Sequence, residues 1–78
     1  MAKIDYIKLR TTREACHLTQ EQLAEKADMS DRHLRNLECG ESIPSALLLY
    51  KISKALDKRI EYFIKEEFDE WQSDSIRN

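Results

Sequence analysis

Arg32, His33, Arg35 and Asn36 lie close together in the chain, interrupted by Leu34 and followed by Leu37. On a helix the two leucines share one face, and the four polar side chains lie on the others. Guanidinium and carboxamide groups are multidentate hydrogen-bond partners, suited to phosphate oxygens and to base edges. No other chemistry competes. There is no Gly-rich phosphate loop, no nucleophile with a base and an orienting third group, and no close cluster of metal-ligating residues. No enzymatic activity, cofactor, metal or small-molecule substrate is therefore expected. Cys16 and Cys39 are the only cysteines, and they are far apart in sequence. They are expected to be reduced, buried or half-buried core residues with no zinc site; a disulfide would form only if the two helices brought them together, and a cytoplasmic setting disfavours it. His17 has no second ligand in sight.

A cationic face is useful only if a rigid element holds it clear of the body. The stretch from Thr19 to Glu38 supplies one. Thr19 and Gln22 have the spacing of a capping box. Leu23, Ala24 and Ala27 then form a small apolar face, and Ala24 admits a close helix. Asp28-Met29-Ser30 breaks the run. Asp tolerates a left-handed backbone, Met29 can plug the corner, and Ser30 can cap a second helix whose Leu34 and Leu37 point inward. Two helices meeting steeply, the second with a polar, cationic outer face, are what a helix-turn-helix DNA reader requires.

The run Leu18 to Lys26, then Ser30, Leu34, Leu37-Glu38, Gly40, Pro44-Ser45 and Lys51-Ile52, resembles the lambda-repressor-like (Cro-type, XRE) helix-turn-helix family. The likeness covers residues 4 to 64. It implies an all-α, five-helix domain that binds double-stranded operator DNA, usually as a homodimer. By family position, Asp31, Arg32 and Asn36 face the major groove, where Arg suits guanine O6 and N7 and Asn suits an adenine edge. Asp31 departs from a cationic surface, and its expected role is to complete the helix cap. Gln20 and Ser42 match positions that contact phosphate, the former at a helix N-terminus that itself favours an anion. Ser30 and Arg35 are placed for phosphate as well. Arg13 matches an arginine that pairs with the glutamate ending the third helix, here Glu38, for which a planar fork is better suited than an ammonium. Thr12 stands where the family usually has an apolar residue, and His17 where it prefers Gly.

The remaining elements follow from pattern. A first helix is expected over Ile4 to Cys16, with Ile4, Leu9, Cys16 and either Tyr6 or Ile7 inward. Gly40 closes the third helix in a left-handed cap. Ser45 caps a fourth helix running to Leu56, with Ala46, Leu49, Ile52, Ser53 and Leu56 inward. Leu47, Leu48 and Tyr50 fall largely off that stripe, and the adjacent leucines, with Ile43, suggest a contact patch and a dimer interface. A fifth helix is expected from Ile60 through Ile64, Phe68 and Trp71, extended beyond the usual family boundary. Phe68 and Trp71 would fold back on the domain or meet a partner helix, and are further candidates for a dimer interface.

Length limits the reading to one domain, residues 1–72, with a frayed tail at 73–78. The chain has 78 residues, one Gly, one Pro and a net charge of −2. Val is absent and no alternating apolar–polar run is sustained, so an all-α class is expected. No apolar run approaches a membrane span and no signal peptide opens the chain, so a cytoplasmic location is the expectation. The acidity is uneven. Residues 1–56 hold nine Lys/Arg against eight Asp/Glu, whereas 57–78 hold four against seven. DNA binding would then rest on local charge placement and few phosphate contacts. The leading expectation is a sequence-specific transcriptional repressor reading a two-fold symmetric operator through its third helix. The alternative is a protein-interaction module of the same fold, such as an antitoxin, an antirepressor or an immunity-type partner, that does not read DNA.

Overall fold

Three of the four helices start on a hydroxyl N-cap and one on Asp5. In a computed structural model, which describes residues 2–66, they are α1 (Tyr6–Ala15), α2 (Gln20–Lys26), α3 (Asp31–Glu38) and α4 (Ala46–Ala55). The caps Asp5, Thr19, Ser30 and Ser45 each accept from a backbone N–H three residues on. Thr19 and Gln22 complete a reciprocal capping box.

The same device ends all four helices. His17, Asp28, Gly40 and Asp57 are left-handed, with φ of 60°, 56°, 78° and 57°. At each corner the next residue's N–H reaches back five positions, as Met29 does to the Ala24 carbonyl at 2.9 Å. Only one of the four is glycine, and the reason is local. A Cβ at Gly40 would lie 3.0 Å from the Tyr6 ring, so a side chain there would meet both strain and a neighbour. Leu18 and Met29, which follow two of the corners, pack against the core.

That core is one cluster. Leu9, Leu23, Leu34, Leu37, Ile52 and Phe63 are fully or almost fully buried, with Ala24 and Ala27 at the α2–α3 contact. Each large side chain contributes about 1.5–3 kcal/mol by leaving water. Thr12 is buried in α1, and Ser53 is buried in α4 with its hydroxyl donating to the Leu49 carbonyl at 2.8 Å. A hydroxyl bonded to the turn below it can occupy a core position without leaving an orphan donor.

The two ends of the described chain depart from expectation. Residues Ala2–Ile4 form a strand, β1, where the first helix was expected to begin. Residues Ile60–Phe63 form a single 3-10 turn, and Ile64–Glu66 form β2, where a fifth α-helix was expected. The strands pair antiparallel, with Ile4 opposite Ile64 and Lys3 opposite Lys65. Three-residue strands are too short to show alternation, so pattern alone could not separate them from a helical run. The fold is mostly helical, with four α-helices and this two-stranded clasp among the described residues. The extended C-terminal helix carrying Phe68 and Trp71, and the tail at 73–78, lie outside the described residues. No helix among those described is long and apolar enough to cross a membrane.

Other corrections concern facing. Cys16 and Cys39 are exposed free thiols; each is the C-cap residue of its helix, beyond the last inward turn. Ala46 is exposed in the first turn of α4. Leu48 is half-buried and packs on the core, because it lies one turn before the buried Ile52. Tyr6 and Ile7 are both exposed. Lys8 and Lys58 both lie over the Tyr62 ring, at 4.5 and 5.0 Å from its centroid, joining α1 to the 3-10 turn.

Candidate nucleic-acid interface

The orientation of α3 is set from its buried side. Leu34 and Leu37 are sealed in the core, and Glu38 is 5% exposed. That carboxylate is held at both oxygens. Arg13 Nε donates to Glu38 Oε2 at 2.7 Å, and Arg13 Nη2 donates to Oε1 at 3.0 Å. A third nitrogen of the same guanidinium, Nη1, donates to the Leu18 carbonyl at 2.8 Å. One side chain therefore ties α1, the α1–α2 corner and the end of α3. Lysine could not make this planar, three-way contact. No buried side-chain nitrogen or oxygen among the described residues lacks a partner.

Gln20 joins the same network. Its Nε2 donates to Glu38 Oε1 at 3.0 Å, across from the start of α2 to the end of α3. The side chain is half-buried. One amide hydrogen is thus engaged inside the molecule. Pattern reading gave Gln20 only an outward role. A contact spanning 18 residues leaves no local signal, and neither does the use of the Leu18 carbonyl by Arg13.

The opposite side of α3 is open. Arg32, His33 and Arg35 are exposed, and Asp31 and Asn36 are half-buried. The cap hydroxyl is that of Ser30, which accepts from the His33 N–H at 3.1 Å. The cap role expected of Asp31 is therefore filled by its neighbour. Asp31 sits in the first turn instead, where a carboxylate suits the helix dipole. Ser42 is half-buried in the loop after Gly40, and Ile43 beside it is 86% exposed. Arg13 and Glu38 are thus joined in one buried network that also takes in Gln20, while Arg32 and Arg35 project from one helix with Asn36 and Asp31 less exposed beside them. Leu47 and Tyr50 are exposed on α4, and Leu48 is not part of that patch. Tyr50, expected from sequence to lie off the inward stripe with Leu47, is three residues from it and so on the same side of the helix.

Comparison with known proteins places this geometry. The helix-turn-helix family model HTH_3 matches residues 9–63. A curated relative, an uncharacterized HTH-type transcriptional regulator of Mycobacterium tuberculosis, is 42% identical over 48 residues, and the same match occurs in strains CDC 1551 / Oshkosh and ATCC 25618 / H37Rv. The match takes in 62% of this chain and 34% of the relative, so the chain spans about a third of that protein's length. Among solved structures, the restriction-modification controller protein C.AhdI from Aeromonas hydrophila is similar, with a TM-score of 0.73 and 28% identity over 74% of this chain and 88% of its own. The DNA-binding domain of the P22 C2 repressor shares the fold, with a TM-score of 0.74 and 23% identity over 78% of this chain and 80% of its own. The chain belongs to the helix-turn-helix family HTH_3, the lambda-repressor-like or XRE type.

Proposed function

We propose that the chain is a sequence-specific DNA-binding transcriptional regulator, acting as a repressor, that reads a two-fold symmetric operator through α3 as a homodimer. The observation that carries this reading is the division of α3. Leu34, Leu37 and Glu38 are buried, while Arg32, His33 and Arg35 project into solvent. The names of the relatives, a transcriptional regulator and a controller protein, agree with it. In this reading Arg32 donates to guanine O6 and N7 and Asn36 pairs with an adenine edge, with Asp31 beside them at the groove. Gln20, Ser30, Arg35 and Ser42 hold phosphate oxygens and set register. Glu38 presents the Gln20 carboxamide. The test is selection of bound fragments from random duplex DNA, followed by affinity at rising salt. A selected palindrome whose binding weakens with salt is the expected result; no binding at low salt, or binding indifferent to salt, rejects the reading.

Arg32→Ala should relax base preference at one position of each half-site and cost ~1–3 kcal/mol at the selected operator. Affinity measured by fluorescence anisotropy checks this, and an unchanged value removes Arg32 from the reading set. The dimer is proposed to form through Leu47 and Tyr50 on α4, which are 64% and 51% exposed. Leu47→Asp should shift sedimentation toward the monomer and weaken operator binding, because half-sites about one helical turn apart need two linked copies. Unchanged sedimentation places the interface elsewhere.

The second reading, a protein-interaction module, is favoured by the net charge of −2 and the exposed Ile43, Leu47 and Tyr50. It predicts no salt-sensitive affinity for any duplex, so the same titration separates the two.

A further inference from the structure

Ser42 sits in a short loop, residues 41–45, that is pinned at both ends. At the far end Pro44 is buried, and Ser45 caps α4 by accepting from the Leu48 N–H at 3.1 Å. At the near end Gly40 is left-handed, with φ of 78°, and the Glu41 N–H reaches back to the Asn36 carbonyl at 2.9 Å. Between the pins Ser42 is half-buried, and Glu41 and Ile43 are exposed. The direction of the Ser42 hydroxyl is therefore set by where the chain leaves α3.

Tyr6 presses on that point. Three adjoining carbons of its ring, Cε1, Cδ1 and Cζ, lie 3.0, 3.2 and 3.2 Å from where a Cβ on Gly40 would stand. The ring thus packs on bare backbone, an approach that only glycine allows. Ring and loop share a wall, since Tyr6, Gly40, Ser42 and Ile43 line one groove. Tyr6 is itself held from α1. Asp5, just before it, accepts from the Lys8 N–H at 3.0 Å and donates its own N–H to the Phe63 carbonyl at 2.8 Å. The residue is still 41% exposed, so burial accounts for only part of what the ring does.

We infer that Tyr6 is a positioning residue for the Ser42 phosphate contact: its ring clamps Gly40 and so fixes the direction in which the loop carries the Ser42 hydroxyl. A hydroxyl already held in one direction binds a phosphate oxygen without the entropy cost of ordering its loop. The closest atoms are all ring carbons, so the role belongs to the ring and not to the phenol oxygen. Tyr6 never touches the DNA in this scheme; it acts through Gly40. The phosphate half rests on the DNA-reading proposal, whereas the clamp of ring on glycine does not.

The test uses the full chain and the operator selected from random duplex. Ser42→Ala should weaken binding about 10-fold, since a hydrogen bond to a charged oxygen is the stronger kind. Tyr6→Ala should weaken it by a similar factor, alike on the operator and on unrelated duplex, because a phosphate contact carries no base information. The salt slope should stay as it is, since neither variant removes a charge. Tyr6→Phe should restore the parent's affinity, and Tyr6→Ala should add little in a Ser42→Ala background. Amide exchange at Glu41 reports the clamp without DNA. It should quicken severalfold in Tyr6→Ala and stay slow in Tyr6→Phe, while exchange in the core is unchanged. Parent-like affinity of Tyr6→Ala, or a loss that adds fully to that of Ser42→Ala, overturns the positioning role. A loss in Tyr6→Phe equal to that in Tyr6→Ala assigns a direct contact to the hydroxyl and overturns it too. Unchanged Glu41 exchange in Tyr6→Ala overturns the clamp. If the parent binds no duplex DNA, the DNA reading and the phosphate role fall together, and the exchange still decides the clamp.

Discussion

Replacing Arg13 with Met is expected to lower the unfolding free energy in urea by ~3–5 kcal/mol, because it strands a buried charge. The Glu38 side chain is only 2% exposed and would keep one donor, the Gln20 amide, in place of three. The Leu18 carbonyl would also lose its partner. A loss of this size is a large share of the ~5–15 kcal/mol that holds a domain together. The double variant Arg13→Met, Glu38→Leu should recover most of it, since two apolar groups of similar volume can replace a buried pair at little cost. A double-mutant cycle measures the coupling directly. Less than 1 kcal/mol for Arg13→Met would show that water already relieves the carboxylate. The cycle also separates fold from function. Removing Glu38 removes the contact that orients Gln20, so the double variant should regain stability without regaining operator affinity.

Phe63→Ala should be as costly, ~3–5 kcal/mol, through lost burial and an unfilled cavity. Phe63 is fully buried, and its ring meets Tyr62 edge-to-face at 5.2 Å between centroids. Its carbonyl accepts from the Asp5 N–H at 2.8 Å, which locks the start of α1 to the end of the 3-10 turn. The urea midpoint should fall with an unchanged slope, because the same surface is exposed on unfolding. Phe63→Leu should cost clearly less, since it refills most of the space. Equal stability of Phe63→Ala and the parent would mean that the C-terminal turn is not part of the cooperative unit.

Phe63 also shows how far sequence reasoning carries. Its place in the core was legible, because Ile60, Phe63 and Ile64 keep helical spacing. The element was not: a 3-10 turn running into a short strand produces the same short apolar run. The turn chemistry read well at Asp28 and Gly40, where local residue type decides the backbone. Ser30 as a cap and Met29 as a corner plug were legible for the same reason. Facing at helix ends was not legible for Cys16, Cys39 and Ala46, since periodicity does not say where a helix leaves the core. The contacts of Arg13 with Glu38 were available only through the family likeness. The third member, Gln20, became visible only once α2 and α3 were placed in space.

One property of α3 has a practical outcome. The residues that mount the helix (Leu34, Leu37 and Glu38) and those that project from it (Arg32, His33 and Arg35) are different residues. If α3 reads DNA as proposed, specificity changes while the scaffold stays intact. Transplanting a foreign set of outward side chains onto positions 32, 33 and 35 should give a stable protein with new target preferences. Gene duplicates of such a domain could diverge in their targets one exposed side chain at a time.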